Sequence, residues 1–186
     1  MNISSSFVSQ KFQSRNLDGK AHGMHTWGAE RPIDPQRASL SVWGQDELNL
    51  DLSVGGPVIE EGHEGQGGFH SSVFFRGFPK EALPTNGGLK EGMHFENERS
   101  SMSYSGGTLT LTQEEHLYRG GFPLGVREIE KRNITLELET NPDMTEIGEV
   151  HYKEESQDRK LFGGYREPET LTDLMIQDFQ FAPEKR

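Results

Sequence analysis

The sequence predicts a mainly β chain, folded as a sandwich or a barrel. Three observations carry this. Apolar residues alternate with polar ones in several segments, the period of a half-buried strand. Glycine pairs and Asn141-Pro142 punctuate the chain at the spacing of strand turns. No stretch repeats its apolar residues as a long amphipathic helix would.

Taken in order, residues 1–15 are rich in Ser and Gln and read as a flexible N-terminal segment. Residues 16–181 read as one domain, and 182–186 as a polar C-terminal tail. Leu48, Leu50, Leu52 and Val54 alternate with Asn49, Asp51 and Ser53, which predicts a strand with one buried face. Gly55 to Gly68 holds six glycines and three glutamates and reads, in isolation, as a flexible loop. Val73, Phe74 and Phe75 form a short apolar run. His94 to Tyr104 alternates up to Gly106-Gly107, a hairpin turn. Leu109 and Leu111 alternate with Thr108, Thr110 and Thr112, which favour strands. Ile134, Leu136 and Leu138 alternate with Thr135, Glu137 and Glu139. From Leu171 to Phe181 two patterns compete. Ile176, Phe179 and Phe181 fit a strand end, whereas Leu171, Leu174 and Met175 have helical spacing.

Composition narrows the function. At 186 residues the chain is long enough for one domain with its own core. With no cysteine, disulfides, thiolate metal sites and cysteine nucleophiles are excluded. The formal charge of −11 argues against nucleic acid and anionic membranes as partners. Apolar content is 31%, and the 22 glycines make up much of the deficit, which points to turns rather than disorder. No segment approaches a membrane-spanning helix, and no secretory signal is evident, so a cytoplasmic location is the default expectation.

Candidate chemistry is sparse. His63 and His70, with Glu60, Glu61 and Glu64, could gather around a cation, but a solvated acidic loop explains them better, and no metal is expected. His22 and His25 fall on opposite faces of a strand. His94, His116 and His151 read as surface or rim residues. Trp27 and Trp43 each precede a glycine and could stack on a ligand, though core or rim packing is the commoner use. The motifs of α/β-hydrolases, P-loops and dinucleotide sites are missing, so no enzyme is expected.

One stretch changes the odds. Glu98-Arg99, then Gly106-Gly107, the strand Thr108 to Gln113 and Gly120-Gly121-Phe122 resemble the green fluorescent protein-like family. Leu17-Asp18-Gly19-Lys20-Ala21-His22-Gly23 is similar to its first hairpin, and Gly55-Gly56-Pro57 to its entry into the central segment. Val73 to Pro84 is similar to the stretch after the chromophore, and Leu89-Lys90-Glu91-Gly92 to the turn before the Glu-Arg strand. The collinear pieces cover residues 17–135. The resemblance implies a closed β-barrel around a central segment. Here that barrel would have a reduced strand number and an irregular, glycine-rich centre. A lipocalin-like barrel is the alternative.

The departures set the functional expectation. In the family the chromophore forms from three consecutive residues, any-aromatic-glycine, and the glycine, for lack of a Cβ, gives its backbone nitrogen access to attack a carbonyl. The matching positions here are Gly68, Phe69 and His70, which should not cyclise. Arg99 matches the arginine that serves chromophore maturation and would be left as a buried, paired cation or a plain strand arginine. The resemblance therefore implies a non-fluorescent, non-catalytic protein-binding or structural module without a cofactor. The globular domain of nidogen is a precedent for such use. The acidic surface favours a basic protein partner, and a homo-oligomer is compatible. The alternatives are a small-molecule carrier, with ligand contacts from Trp27, Trp43, Phe69, Phe74 and Phe75, and a pigment-bearing protein.

Overall fold

The computed structural model describes residues 10–23, 31–44, 48–75, 88–121, 123 and 125–183. In chain order its strands are β1 (Gln10–Ser14), β2 (Asn16–Gly23), β3 (Arg31–Ile33), β4 (Arg37–Trp43), β5 (Leu48–Pro57), β6 (Gln66–Phe75), β7 (Met93–Glu96), β8 (Ser100–Ser105), β9 (Thr108–Gly121), β10 (Gly125–Thr140), β11 (Ile147–Asp158), β12 (Glu169–Gln177) and β13 (Gln180–Phe181). Among the described residues there is no helix. All pairing is antiparallel, in a five-stranded sheet β13-β1-β4-β5-β6 and an eight-stranded sheet β3-β2-β12-β11-β10-β9-β8-β7.

The two sheets are linked by strands that bend from one into the other. β1 and β2 form one run bent at Arg15, and the hairpin partner of that run is β3 and β4, bent at residues 34–36. β12 pairs with β2 and β13 with β1, so the last run bends beside the first. The bend at Asp178 uses a left-handed conformation, φ 57°, which Asp tolerates better than most residues. A polar clasp holds this corner. The Ser14 hydroxyl donates to the Gln177 carbonyl, and the Asn16 side-chain Nδ2 donates to Asp178 Oδ2 at 3.2 Å.

No sheet closes into a barrel among the described residues. The closed barrel is therefore corrected to two open sheets packed on one core. Closure needs a ladder at every seam, and β6 and β7 are sheet edges with no ladder between them. The core draws on both sheets: Leu40, Val42, Leu50 and Leu52 from the smaller, and Leu109, Leu136, Leu138, Val150, Leu174 and Ile176 from the larger. The alternations at residues 48–54, 108–112 and 134–139 lie within β5, β9 and β10 with the expected faces buried.

Three expectations change. Residues 10–14 of the supposedly flexible N-terminal segment form β1, paired on both sides, with Phe12 buried. Residues 1–9 lie outside the described residues, as do 184–186 of the tail, whereas the Ala182 amide donates to the Lys11 carbonyl at 2.7 Å. Gly55 to Gly68 is neither a flexible loop nor a central segment. Gly55 pairs with Gly68 and Gly56 with Gly67, so the glycines sit in the ladder, and the turn is confined to the residues between β5 and β6. They are glycines because the chain is crowded there: a Cβ on Gly56 would stand 1.7 Å from the Asp34 carbonyl oxygen. Finally, Leu171 to Phe181 resolves into β12 and β13, with Leu174 and Ile176 inward.

Candidate functional site

Inward positions on three neighbouring strands change character halfway along. On β9, Leu109 and Leu111 are followed by Gln113 and Glu115; on β10, Leu138, Leu136 and Ile134 by Arg132 and Glu130; on β11, Val150 and Tyr152 by Glu154 and Ser156. The register places Glu115, Arg132 and Ser156 side by side, and Gln113, Ile134 and Glu154 in the next row. The result is a charged cluster at one end of the interior.

Arg132 is its centre. Its Nε lies 2.5 Å from Glu130 Oε1, and its Nη1 lies 3.4 Å from Glu154 Oε1. Glu154 is only 3% exposed, so these partners replace the water it loses on burial. The Ser156 hydroxyl donates to Glu130 Oε1 at 2.7 Å, and Gln113 donates to Glu115 at 3.1 Å. The Tyr152 hydroxyl donates to Glu154 Oε2 at 3.2 Å and lies 3.1 Å from the Ser71 hydroxyl on β6, which crosses to the other sheet. Phe69, two residues before Ser71, places its ring 5.4 Å from that of Tyr152, tilted by 38°. Burial pushes the Tyr152 phenol above its ordinary range, and the Glu154 carboxylate pushes it further. Tyr152 is thus a neutral donor. The cluster can hold charge and hydrogen-bond a polar group. With Glu115 near, it carries more negative than positive charge.

A second cluster lies on the outer face of β9 and β10. His116 sits between Glu114, at 2.7 Å, and Glu128, at 3.1 Å. Lys131 lies 3.5 Å from Glu114. The Tyr165 hydroxyl donates to Glu128, and its ring lies 4.7 Å from both the Lys131 ammonium and the Arg159 guanidinium. The hydrogen bond from Tyr165 holds Glu128 below the usual carboxylate range against a smaller opposing effect of burial. Burial pushes Glu114 up, but hydrogen bonding to His116 and the charge of Lys131 outweigh it and bring it down.

A third lies on the wall between β11 and β12, beside an open groove of about 560 Å³ lined in part by Asp18, Lys20, His22, His151 and Asp173. His151 Nε2 lies 2.8 Å from Asp173 and its Nδ1 3.3 Å from Glu137. Burial would lower its pKa, but the two carboxylates win and raise it. A raised histidine stabilises the fold below the unfolded-state pKa of about 6.5, and that contribution is lost as pH rises through the folded value. His151→Gln should therefore lower the Tm more at about pH 5.5 than at about pH 8. Equal losses at both pH values would refute this pairing.

Of the residues singled out by sequence, Phe69 packs on Tyr152 of the inner cluster, and His116 and His151 lie in the outer two. Gly68, Phe69 and His70 are consecutive wall residues of β6; Phe69 points inward and His70 outward, 3.5 Å from Asp51. An extended strand spreads consecutive residues by about 3.3 Å each, the opposite of the bend that cyclisation needs. Arg99 is neither buried nor in a strand. It is exposed in the turn before β8, where the Asn97 side chain accepts from its amide at 3.0 Å. Trp43 is half-buried at the end of β4. Trp27 and the side chains of Phe74 and Phe75 lie outside the described residues. His63 approaches Glu60 at 3.7 Å, apart from His70, and no group of three metal-ligating residues occurs among the described residues. His116 and His151, read from sequence as surface or rim residues, lie on the outer face, but their carboxylate partners and the inner cluster were missed. Extending the alternation of β10 past Ile134 would have placed Arg132 and Glu130 inward. Compared with protein-family models, with curated proteins and with solved structures, the chain has no significant match.

Proposed function

We propose that the chain is a non-catalytic binding or structural module that works through its outer surface. One observation carries this reading: side chains from both sheets meet across the interior, with Phe69 on Tyr152 among Leu52, Leu111 and Leu136. The functional surface is then the wall, where exposed carboxylates such as Glu137 and Asp173 suit a basic protein partner. The reading includes a barrel-like shell. Neighbour-to-neighbour strand order and a last run returning to the first support the lipocalin-like form, while the wall position of Gly68-Phe69-His70 weighs against a GFP-like one with a central segment.

A carrier is the second reading, favoured by the buried charges of Arg132 and Glu154 inside the shell. Native mass spectrometry with an absorption spectrum of the purified protein separates them. The surface-module reading expects the bare chain mass, without visible absorbance. A stoichiometric small-molecule adduct would replace it with the carrier, and a mass deficit with a visible band would replace it with a pigment.

A further inference from the structure

The end of the molecule formed by the β9–β10 hairpin and the β11–β12 connection differs from the rest of this acidic chain. After β11 the chain makes a tight turn, closed by the bridge between Arg159 and Tyr165 and by the Lys160 amide donating to the Gly164 carbonyl at 3.1 Å. Gly163 and Gly164, at φ 67° and 61°, take the left-handed conformations the turn requires. The turn is anchored: the Arg159 amide donates to the Ile129 carbonyl at 2.8 Å, and Tyr165 is held by Glu128 with two cations against its ring. Its tip nevertheless presents Leu161 and Phe162, 74% and 88% exposed, and the neighbouring hairpin presents Val126, 75% exposed. Behind the tip lies an open groove of about 560 Å³ whose lining includes Arg127, Arg159, Lys160 and Arg166. Arg127, Lys160 and Arg166 make no ion pair among the described residues. Of the two carboxylates in the groove, Glu128 is engaged by Tyr165 and His116.

We propose that this end docks on an anionic phospholipid surface, with Leu161 and Phe162 entering the headgroup–acyl boundary and the cations of the groove meeting lipid phosphates. Apolar side chains exposed on an anchored turn, beside a groove where Arg127, Arg159, Lys160 and Arg166 outnumber Glu128 and Asp158, match an interface that is apolar beneath and negative above. A protein partner would need a recess shaped for the tip, whereas a fluid interface needs none. The chain charge of −11 does not oppose docking at this end, because charges farther away than about 8–10 Å are screened at physiological salt.

Flotation of the full chain with phosphatidylcholine vesicles, with and without phosphatidylserine, tests this. Binding is expected only with phosphatidylserine, and should fall about tenfold or more both in the double variant Leu161→Ser/Phe162→Ser and in Lys160→Glu/Arg166→Glu. All four positions are exposed, so circular dichroism should be unchanged. Phe162→Trp should add a tryptophan emission that shifts to the blue with these vesicles. Absence of binding to phosphatidylserine vesicles, or binding undiminished in both double variants, would overturn the proposal. So would a protein partner captured through the same residues without any vesicle binding, which would reassign the tip to protein docking.

Discussion

Replacing Arg132 with methionine should lower the free energy of unfolding by about 3–5 kcal/mol. Methionine keeps much of the volume of the arginine stem, so the loss reports charge rather than a cavity. Glu154, almost fully enclosed, would face Glu130 across the vacated guanidinium position. Two carboxylates would then share a poorly hydrated site without their common cation. Urea unfolding measures the loss, and the dependence on urea should keep its slope if the native fold is unchanged. A loss under about 1 kcal/mol would show that the cluster behaves as an exposed ion pair.

Gly56→Ala should be as damaging for a different reason. Here the run of β3 and β4 bends against β5: the Asp34 amide donates to the Pro57 carbonyl and the Gln36 amide to the Gly55 carbonyl, both at 2.9 Å. The added methyl would overlap the Asp34 carbonyl, backbone that cannot rotate away. The bend must open and release both hydrogen bonds, at about 1 kcal/mol each, in addition to the steric penalty. A total loss of about 3 kcal/mol or more is expected. Gly121→Ala is the control, since a Cβ there meets nothing within 4 Å and the change should stay within about 0.5 kcal/mol. Equal thermal stabilities for the two variants would contradict the close approach at Gly56.

The parts of the fold legible in sequence were those where apolar residues mark one face. Leu48 to Val54 and Ile134 to Leu138 gave strands and buried faces together. β1 was hidden because its inward residues are Phe12 and Ser14, one apolar and one polar, which leaves no period to read. The glycine-rich stretch misled because composition describes turns better than it describes close approach; Gly55, Gly56, Gly67 and Gly68 keep the ladder pattern without side chains to show it. The inner charged cluster was obscured by the rule that charges face water. Arg132 and Glu154 hold the same strand parity as Leu136 and Tyr152, so phase was the better guide. Glu128 shows where phase fails: a bulge between Glu128 and Glu130 turns it outward to His116. The clustering of Arg159, Tyr165 and Lys131 depends on a turn folding back onto a sheet, which local pattern does not record.

The corner clasp has a consequence for biosynthesis. Ser14 and its partner Gln177 are 163 residues apart in the chain. Hairpins such as β8–β9 and β9–β10 can zip as soon as both strands emerge from the ribosome. The open edge of β2, however, waits for β12, ten strands later in the chain. Throughout that interval the nascent chain carries an unpaired edge, the feature most prone to wrong intermolecular pairing. β2 carries Asp18, Gly19 and Lys20 in its middle, residues poorly suited to foreign strands. The order of synthesis and the polar character of that early strand are matched.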